Sequence, residues 1–427
     1  MLFCLIIYFF KPFENTNIKK YIWLLLFSIK IIAGLSCFFI YYYYYDYSDS
    51  DIFHYYDSAK AIYQEKDENF IDYLKIITGI NCSDELVANY SQDVNYWTRG
   101  HDYGLFVDNK TIIRFNAIVM LLTKENIFGN IIIMAFFSFI GCFASYKAIL
   151  NLVPQINKYL LIFAIFLIPS CCFWSSALLK EGLIAFSLGF VLYFFSKLYQ
   201  KQNFWYLLGF IISCFLLFLS KIYVLPIILP CLLFYYFTKK TTLKVQIIAL
   251  FTTIIIGFST IILIDIYLLD SRLIETISGK HNDFINLINI LPEKGSSFIL
   301  SRMEANYYSL LSIIPEGLLN VFFRPFYSDI HNSFLLITFI ETYSLFIFII
   351  LSIIFFKKPD SDTRKFIVFC IIFVFLFYSL IGIYTPNIGS LSRYRTVAQP
   401  FFILIFICMT DFEKILKKFQ ILRIFKP

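Results

Sequence analysis

The sequence predicts an all-α protein, a polytopic bundle of transmembrane helices, from its composition and from the spacing of its apolar and charged residues. Of its 427 residues, 59% are hydrophobic, 21% are aromatic and only 15% are charged, which excludes a soluble enzyme. The apolar residues fall in runs of about 20, the length of helix that crosses a hydrocarbon layer of roughly 30 Å. The charged residues cluster between these runs, where the connections of a membrane protein lie.

The first apolar run, Met1 to Phe10, is too short to span a membrane. It can lie in the interface or resemble a truncated signal core, and since it has no small-residue cleavage site we do not expect it to be removed. After it we predict about ten spans, roughly nine to twelve, because two runs are short and 204–237 can form a broken or tilted pair. The predicted spans cover residues 21–45, 128–147, 159–177, 182–196, 204–220, 222–237, 245–267, 332–356, 366–384 and 397–412.

Basic residues give the predicted orientation. With the amino terminus in the cytoplasm, every basic cluster between the spans lies on the cytoplasmic side, as the positive-inside tendency requires. Both termini are then cytoplasmic, and the net charge of +7 sets orientation and gives no support for nucleic-acid binding. The clusters between the spans contain Lys147, Lys158, Lys197, Lys201, Lys239, Lys240, Lys244, Lys357, Lys358, Arg364 and Lys365.

This topology places two long polar segments, 46–116 and 268–331, on the exoplasmic side. The first holds thirteen Asp or Glu residues against six Lys or Arg residues, and we expect the chemistry of the protein in these two loops. Apolar spacing predicts short amphipathic helices on the membrane surface, one within 57–73 and one in IIRFNAIVMLL before the second span. Because the chain has no internal repeat, linker or low-complexity tail, we predict a single membrane domain over residues 1–427.

Acidic residues follow the first predicted span, in the segment DSDIFHYYDSAKAIY. On a helix, the spacing of three puts Asp51, His54 and Asp57 on one face. A carboxylate there can accept a proton from a sugar hydroxyl, or can hold a divalent cation together with a neighbouring residue. His54 can act as a second base or can donate a hydrogen bond to a phosphate group. We therefore predict these three residues as catalytic candidates, the alternative being an acidic, solvated turn.

A lysine and a glutamate open the fourth predicted span, in IPSCCFWSSALLKEGLIAF, after a break at Pro169. Lys180 can supply a cation for a lipid-linked phosphate or pyrophosphate, and Glu181 lies at a helix start, where negative charge is favoured. The alternative is a solvated hairpin turn.

Arginines and a buried glutamate mark the last third of the chain. Glu341 lies inside an apolar span, so it must be neutral or paired, most simply with an arginine. Arg324, beside Pro325, has the fork shape that suits phosphate oxygens or that carboxylate. Arg393 and Arg395 lie at the mouth of the last span and call for an anionic partner, with lipid headgroup anchoring as the alternative.

The sequence lacks the motifs of several other kinds of chemistry. The chain has no phosphate-cradling glycine loop and no G-x-S-x-G elbow, so ATP-driven transport and serine hydrolysis find no support in the sequence. No pair of histidines has metal-ligand spacing, so we predict no metal site and interpret His101, His281 and His331 as surface residues. Only Glu341 and small polar residues are expected within the spans, which argues against a polar transport path.

The layout of the whole chain resembles bacterial envelope-polysaccharide membrane proteins, namely the GT-C glycosyltransferase superfamily and the O-antigen or exopolysaccharide polymerases. The motifs that carry the resemblance are the acidic segment after the first span, the PS..FWSS...KE and FRPF...E elements, and the late RYRTVAQP run. Both families stay open as alternatives, because the acidic motif has no paired Asp-Asp or Asp-Glu and no long arginine-rich loop pair is present.

The resemblance implies roles for particular residues. In the GT-C group an acidic residue of the first exoplasmic loop is the general base toward the acceptor hydroxyl, which implies that role for Asp51, with Asp57 as a substitute. In the polymerases, exoplasmic arginines bind the pyrophosphate of the undecaprenyl-linked donor. This implies a phosphate-binding role for Arg324, Arg393 and Arg395, helped by Lys180.

The expected function is that of a membrane glycosyltransferase or polymerase of the bacterial inner membrane. It would assemble a cell-surface polysaccharide on the exoplasmic face from a polyprenyl-(pyro)phosphate-linked sugar donor. The implied partners are that donor, a glycan acceptor, membrane lipids and envelope-polysaccharide assembly proteins, with no cofactor beyond a divalent cation. The alternative is a transporter or flippase of lipid-linked oligosaccharide, and a scaffold subunit is a third interpretation.

Overall fold

A computed structural model of the chain describes residues 2–9, 13, 16, 18–45, 47, 50–83, 85–87, 97, 108–239, 241–268, 272–290 and 296–419. These residues form helices and connections with two isolated β-bridges and no strand, which confirms the predicted all-α class. The chain divides into two compact units. The first unit comprises residues 1–149 and 165–225, the second comprises residues 150–164 and 226–427, and the single domain stays a prediction.

The first half of the chain contains helices α1 to α10. A π-helical turn, Phe163–Leu167, follows α7, and the chain then bends by 52° into α8, which confirms the break predicted at Pro169. The helices are α1 (Leu2–Phe9), α2 (Lys20–Tyr43), α3 (Asp51–Glu68), α4 (Phe70–Thr78), α5 (Asn109–Thr123), α6 (Ile127–Leu152), α7 (Lys158–Ile162), α8 (Pro169–Ser176), α9 (Lys180–Gln200) and α10 (Phe204–Ser220).

The second half contains helices α11 to α19. A short 3₁₀ turn, Tyr327–Asp329, lies between α14 and α15. The helices are α11 (Val224–Phe237), α12 (Leu243–Leu268), α13 (Arg272–Ile290), α14 (Tyr307–Phe323), α15 (Ser333–Ile354), α16 (Ser361–Tyr384), α17 (Ile388–Arg395), α18 (Gln399–Met409) and α19 (Phe412–Phe419).

Asparagine side chains begin several of these helices. The Oδ1 atom of Asn203 accepts the backbone N–H of Trp205 at 2.8 Å at the start of α10, and Asn157 and Asn332 cap α7 and α15 in the same way. A capping oxygen satisfies one of the N–H groups that a helix start leaves without a partner, which contributes about 1 kcal/mol. The polar residues between apolar runs therefore fix where the helices begin.

Helix α3 forms part of a buried core in the first unit. Its residues Phe53, Tyr55 and Ile62 are at most 3% exposed, and the helix packs against α4 and α5. Both segments are helical, as α3 and α4 within 57–73 and as α5 in IIRFNAIVMLL, while their position on the membrane surface stays a prediction. The apolar face of α3 is covered by protein, since its aromatic side chains pack in one cluster with apolar residues of α5.

Glycines allow close helix contacts in both units. In the first unit, a Cβ on Gly189 of α9 would overlap the backbone of Gly141 of α6. In the second unit, a Cβ on Gly382 of α16 would lie 2.5 Å from the carbonyl oxygen of Gly317 of α14. Small residues at such crossings let helix backbones approach where no hydrophobic effect drives association.

Ten predicted apolar runs all lie on helices, but fewer helices have the length of a full span. Among the described residues, five helices are long and apolar enough to cross a membrane, and the bent pair 158–167 and 169–176 makes up to six. Shorter apolar helices fill the remaining runs, so the chain has the helices of a membrane protein while the number of spans stays a prediction. The five full-length helices are α2, α6, α9, α15 and α16.

Helix α14 differs from the expected layout. Residues 268–331 were expected to form a polar loop, yet the structure contains the apolar helix Tyr307–Phe323 there, packed along α16. The helix escapes a search for long apolar runs because Pro315 and Glu316 interrupt it. The second predicted loop therefore contributes a helix to the core of the second unit.

Candidate functional site

An aspartate between two lysines forms the centre of a charged cluster in the first unit. The Asp108 carboxylate lies 2.5 Å from Lys180 Nζ through Oδ1 and 2.9 Å from Lys221 Nζ through Oδ2. The two lysine side chains are only 7% and 12% exposed, and that of Asp108 is 23% exposed. We call these three residues the lysine–aspartate cluster.

The helix arrangement explains why the two lysines meet. Lys180 begins α9, and Lys221 directly follows α10. Helices α9 and α10 pack against each other and are joined by only residues 201–203. A helical hairpin brings the start of its first helix beside the end of its second, so residues 41 positions apart in sequence share one end of the hairpin.

Charge in the lysine–aspartate cluster is unbalanced, because two ammonium groups share one carboxylate. Burial by itself would raise the pKa of the Asp108 carboxyl, but Lys180 and Lys221 outweigh burial and hold that pKa well below its usual range. Asp108 is therefore ionised at neutral pH, and the three groups carry one net positive charge. The Asp51 carboxylate, which is close enough to attract the Lys180 ammonium, offsets this charge.

Asp51 belongs to the surroundings of this cluster. It is the first residue of α3, and its carboxylate is close enough to attract the Lys180 ammonium. The Lys180 Nζ also lies 5.6 Å from the centroid of the Tyr55 ring, and the Tyr55 hydroxyl donates to Asn109 Oδ1 at 3.0 Å. The structure thus brings together Asp51 and Lys180, which were predicted from two separate sequence motifs.

His54 and Asp57 lie on the same helix as Asp51, and all three are partly buried. Asp57 Oδ2 accepts a hydrogen bond from the Tyr47 hydroxyl at 2.7 Å. Burial, followed by this bond, raises the pKa of Tyr47 above its usual value. The segment that contains these three residues is helical, which is the condition under which they share one face. The Asp57 carboxylate is hydrogen-bonded to Tyr47.

Lys180 and Glu181 are buried, at 6% and 3% exposure. The interpretation of this pair as a solvated hairpin turn is therefore wrong, because the aromatic and apolar residues of α3 and α5 cover the end of α9. Glu181 lies in the first turn of α9, where the helix dipole favours its negative charge.

The predicted residues of the last third of the chain lie in the second unit. Arg324 Nη1 donates to both oxygens of Asp329 at 2.8 Å, and Arg324 Nε donates to Asn320 Oδ1 at 2.8 Å. Its guanidinium also lies 4.2 Å from the centroid of the Phe298 ring. The charge of Arg324 is therefore matched by Asp329, which makes it a poorer phosphate ligand than its sequence context indicated.

Glu341, Arg393 and Arg395 surround the start of α18. Glu341 Oε1 accepts a hydrogen bond from Gln399 Nε2 at 2.7 Å. Arg395 Nη2 donates to Thr342 Oγ1 at 2.9 Å, and Arg395 Nη1 donates to the carbonyl oxygen of Arg324 at 3.3 Å. Arg393 lies over the ring of its neighbour Tyr394. Glu341 is thus hydrogen-bonded to the neutral amide of Gln399, and its pairing with an arginine stays a prediction.

Sequence reasoning missed several ionisable residues. Glu341 is not the only one within the apolar runs: Lys30 lies in α2 and Asp265 in α12, and both are buried. Asp108 and Lys221 were overlooked as well, although each follows or precedes an apolar helix directly. A search for charged residues within apolar runs would have found Lys30 and Asp265, and a search next to the ends of apolar helices would have found Asp108 and Lys221.

Two histidines predicted as surface residues, His281 and His331, differ in their burial. His331 is exposed as predicted, but His281 is fully buried, because its two ring nitrogens contact the carbonyl oxygens of Ile383 and Ser301. His101 lies outside the described residues. Within the described part of the chain, no group of three or more His, Cys, Asp or Glu residues has the geometry of a metal site.

Fold and clusters together define a helical membrane protein with charged groups buried in each of its units. No family model matches the chain, and neither a curated protein nor a solved structure matches it.

Proposed function

We propose that the protein is a membrane glycosyltransferase or polymerase that assembles a cell-surface polysaccharide from a polyprenyl-(pyro)phosphate-linked sugar donor. The reaction takes place on the exoplasmic face of the bacterial inner membrane, and both termini are cytoplasmic. The observation that carries the proposal is the position of Asp51 beside the lysine–aspartate cluster, where a carboxylate lies close to two ammonium groups.

Glycosyl transfer from a lipid phosphate needs those two groups. The Asp51 carboxylate takes the proton of the acceptor hydroxyl, whose oxygen forms the new bond to the anomeric carbon. The bond between that carbon and the phosphate oxygen breaks, and the phosphate leaves with the electron pair. Lys180 and Lys221 stabilise the negative charge that develops on the leaving phosphate.

Three substitutions test the proposal in a strain that depends on this protein for its surface glycan. Asp51→Asn removes the base and Lys180→Ala a phosphate ligand, while Arg393→Ala removes a predicted ligand in the second unit. We expect glycan assembly to fall about a hundredfold or more in each, at normal protein level and insertion. The readout is the glycan profile on a gel.

Matched control variants distinguish the loss of a proposed catalytic or binding group from the general effect of removing a charged residue. Asp67→Asn alters an exposed carboxylate of α3, Lys197→Ala alters the lysine near the opposite end of α9, and Arg302→Ala alters an exposed arginine of the second unit. These variants should give wild-type glycan. Wild-type profiles from Asp51→Asn, Lys180→Ala and Arg393→Ala as well would overturn the proposal.

A second candidate function is a transporter or flippase of lipid-linked oligosaccharide. Lys30, which is 1% exposed within the span-length helix α2, favours it, since ionisable groups at membrane depth often mark a transport path. Purified protein in lipid vesicles distinguishes the two functions. A flippase moves a labelled polyprenyl-linked sugar to the opposite leaflet without forming a glycosidic bond, whereas the transferase forms the bond when an acceptor is present.

A further inference from the structure

His281 is fully buried in the second unit, between backbone carbonyl groups of two different elements. Its Nδ1 atom contacts the carbonyl oxygen of Ile383, and its Nε2 atom lies 2.7 Å from the carbonyl oxygen of Ser301. A carbonyl oxygen only accepts hydrogen bonds, so each ring nitrogen must donate one. A neutral imidazole carries one N–H group and an imidazolium carries two. The doubly protonated form is therefore the one that satisfies both contacts.

The end of α16 favours a positive charge at this position. Ile383 belongs to the last turn of α16, and the last four carbonyl groups of an α-helix have no partner within the helix. These carbonyl groups form the negative end of the helix dipole, which stabilises a cation near it. An imidazolium at position 281 thus receives two hydrogen bonds' worth of acceptors and a favourable dipole in place of the water that burial removes.

Ser301 belongs to a segment outside the helices, residues 296–303, which we call the strap. Two backbone hydrogen bonds of 2.8 Å tie the start of the strap to the connection between α16 and α17. The bonded pairs are Phe298 with Pro386 and Ile388 with Ser296. Near the end of the strap, the Asn282 side chain forms two hydrogen bonds with the backbone of Met303. His281 joins the middle of the strap to the end of α16.

The charged groups around His281 have other described partners. Glu316 of α14 accepts the backbone N–H of Ser301 at 3.2 Å, and Arg302 of the strap donates to Asn286 at 2.9 Å. Helix α16 carries no Asp, Glu, His, Lys or Arg after Lys365. The other titratable residues on the elements that meet here are Asp265, Glu275, Lys280, Asp283, Glu304 and Tyr307. Within the described part of the chain, the ring of His281 is held by the two carbonyl oxygens alone.

We propose that His281 is a proton-dependent clasp. As an imidazolium it holds the strap to α13 and to the end of α16, and the loss of its second proton releases one of its two hydrogen bonds. The closed clasp binds this proton, so a fall in pH closes it and a rise in pH opens it. The strap lies in the segment predicted to be exoplasmic, which makes the pH outside the cell the signal.

Nuclear magnetic resonance of the ring nitrogens tests the protonation directly, in the full-length protein with nitrogen-15-labelled histidine. The chain has four histidines, so His54→Gln, His101→Gln and His331→Gln assign three signals and leave that of His281. At about pH 5.5, below the value of about 6.5 at which an exposed imidazole exchanges this proton, we expect both nitrogens of His281 to be protonated. A neutral ring shows one protonated and one bare nitrogen.

Hydrogen–deuterium exchange measures the strap itself. Peptides that cover residues 296–304 are compared at about pH 5.5 and about pH 8.5, each after division by the exchange rate of the unfolded peptide at that pH. We expect the protection of the strap to be about tenfold lower at the higher pH, the change that the loss of one hydrogen bond gives. Peptides from α9 of the first unit should show no such change.

Two variants separate the clasp from its neighbour. His281→Gln keeps a donor for one carbonyl oxygen but has no titratable ring, so the protection of its strap should not change with pH. Asn282→Ala removes the adjacent bonds to Met303, so protection should fall at both pH values while the pH response remains. His331→Gln, at an exposed histidine of the same unit, should behave as the wild type.

Three results would overturn the inference. The first is a neutral imidazole at position 281 in the folded protein at about pH 5.5. The second is equal protection of the strap at both pH values in the wild type. The third is an unchanged pH response in folded His281→Gln, which would assign the response to another group. The first two use the wild-type ring, so they decide the matter even if His281→Gln does not fold. Neither His281 nor the strap takes part in the proposed glycosyl transfer, so this test is independent of that proposal.

Discussion

Asp108 is the residue on which the charge balance of the lysine–aspartate cluster depends. Its carboxylate is the shared partner of Lys180 and Lys221, and both ammonium groups are largely buried. Two buried cations without a carboxylate between them repel each other and lose hydrogen bonds that water does not replace. Asp108 therefore joins the start of α5 to the start of α9 and to the residue that follows α10.

Asp108→Asn should lower the stability of the protein. We expect a loss of about 3 kcal/mol, the cost of removing one partner from a buried ion pair. Thermal unfolding of the purified protein in detergent measures it. Asp67→Asn is the control, because the Asp67 side chain is 73% exposed. An unchanged unfolding temperature for Asp108→Asn would contradict the described pairing.

The same carboxylate predicts a pH dependence. Its pKa is lower in the folded protein than the ordinary value of 3.8, because the two lysines outweigh burial. The stability that it contributes is therefore fully present above about pH 3.8 and is lost as the pH falls from there toward the lowered pKa. When thermal unfolding is followed as the pH falls below about 3.8, the wild type should lose an increment of stability that Asp108→Asn lacks, and parallel curves for the two proteins would contradict the lowered pKa.

At the scale of helices, Lys30 connects three elements of the first unit. Its ammonium donates to Ser138 Oγ of α6 at 2.7 Å and to Ser175 Oγ of α8 at 2.8 Å. The lysine itself lies in α2 and is 1% exposed. Its described partners are hydroxyl groups. The two serine hydroxyls therefore supply the hydrogen bonds that offset the loss of hydration of this buried ammonium group.

A double-mutant cycle tests that arrangement. Replacing Ser138 and Ser175 by alanine should destabilise the protein by about 2 kcal/mol when Lys30 is present, because a buried ammonium then lacks acceptors. In a Lys30→Met background the same replacements should cost much less. Thermal unfolding of the four proteins gives the coupling, and equal effects in both backgrounds would exclude the proposed role of the serines.

The crossing of α14 and α16 rests on two glycines. A Cβ on Gly382 would lie 2.5 Å from the backbone of Gly317, and backbone atoms cannot turn aside as a side chain can. Gly382→Ala should therefore force the helices apart and cost about 2 kcal/mol. Gly257→Ala is the matched control, since no atom lies within 4 Å of its Cβ position, and it should be neutral or slightly stabilising.

Equal unfolding temperatures for Gly382→Ala and Gly257→Ala would contradict this close contact.

The positions of the helices were more predictable from the sequence than the contacts between the helices. Each apolar run became a helix, because length and hydropathy alone decide where a helix can lie in a membrane. Helix α14 was missed, because Pro315 and Glu316 divide its apolar run although the backbone continues through both. The caps at Asn157 and Asn203 were not recognised either, since asparagine is frequent throughout the chain and its position carries meaning only once helix starts are known.

The candidate site was predictable in part. Asp51 and Lys180 were identified separately, because a charged residue at the end of an apolar run is unexpected at any single position. Their proximity was not predictable, since it depends on the packing of α5 against α9 and on the position of Tyr55 of α3 beside Lys180. Lys221 and Asp108 were missed for the same reason: each looks like an ordinary connection residue until the hairpin of α9 and α10 is formed.

For the whole molecule, the scarce charged residues have two different roles. Lysines such as Lys197 and Lys201 lie in or beside helix ends and set the predicted orientation. A second group is buried within the units and is held by specific partners, as Lys30, Asp108 and Arg395 show. The charged residues at helix ends thus set the predicted orientation, whereas the buried charged residues are the candidates for chemistry.

The lipid-linked sugar that accumulates in Asp51→Asn cells tests the central claim most directly. If Asp51 is the base of a glycosyl transfer, the donor should accumulate intact on the exoplasmic face, where an added glycosidase reaches it in spheroplasts. Asp67→Asn cells should accumulate none. Accumulation on the cytoplasmic face, protected from the glycosidase, or no accumulation at all in Asp51→Asn cells with a normal protein level, would contradict the account.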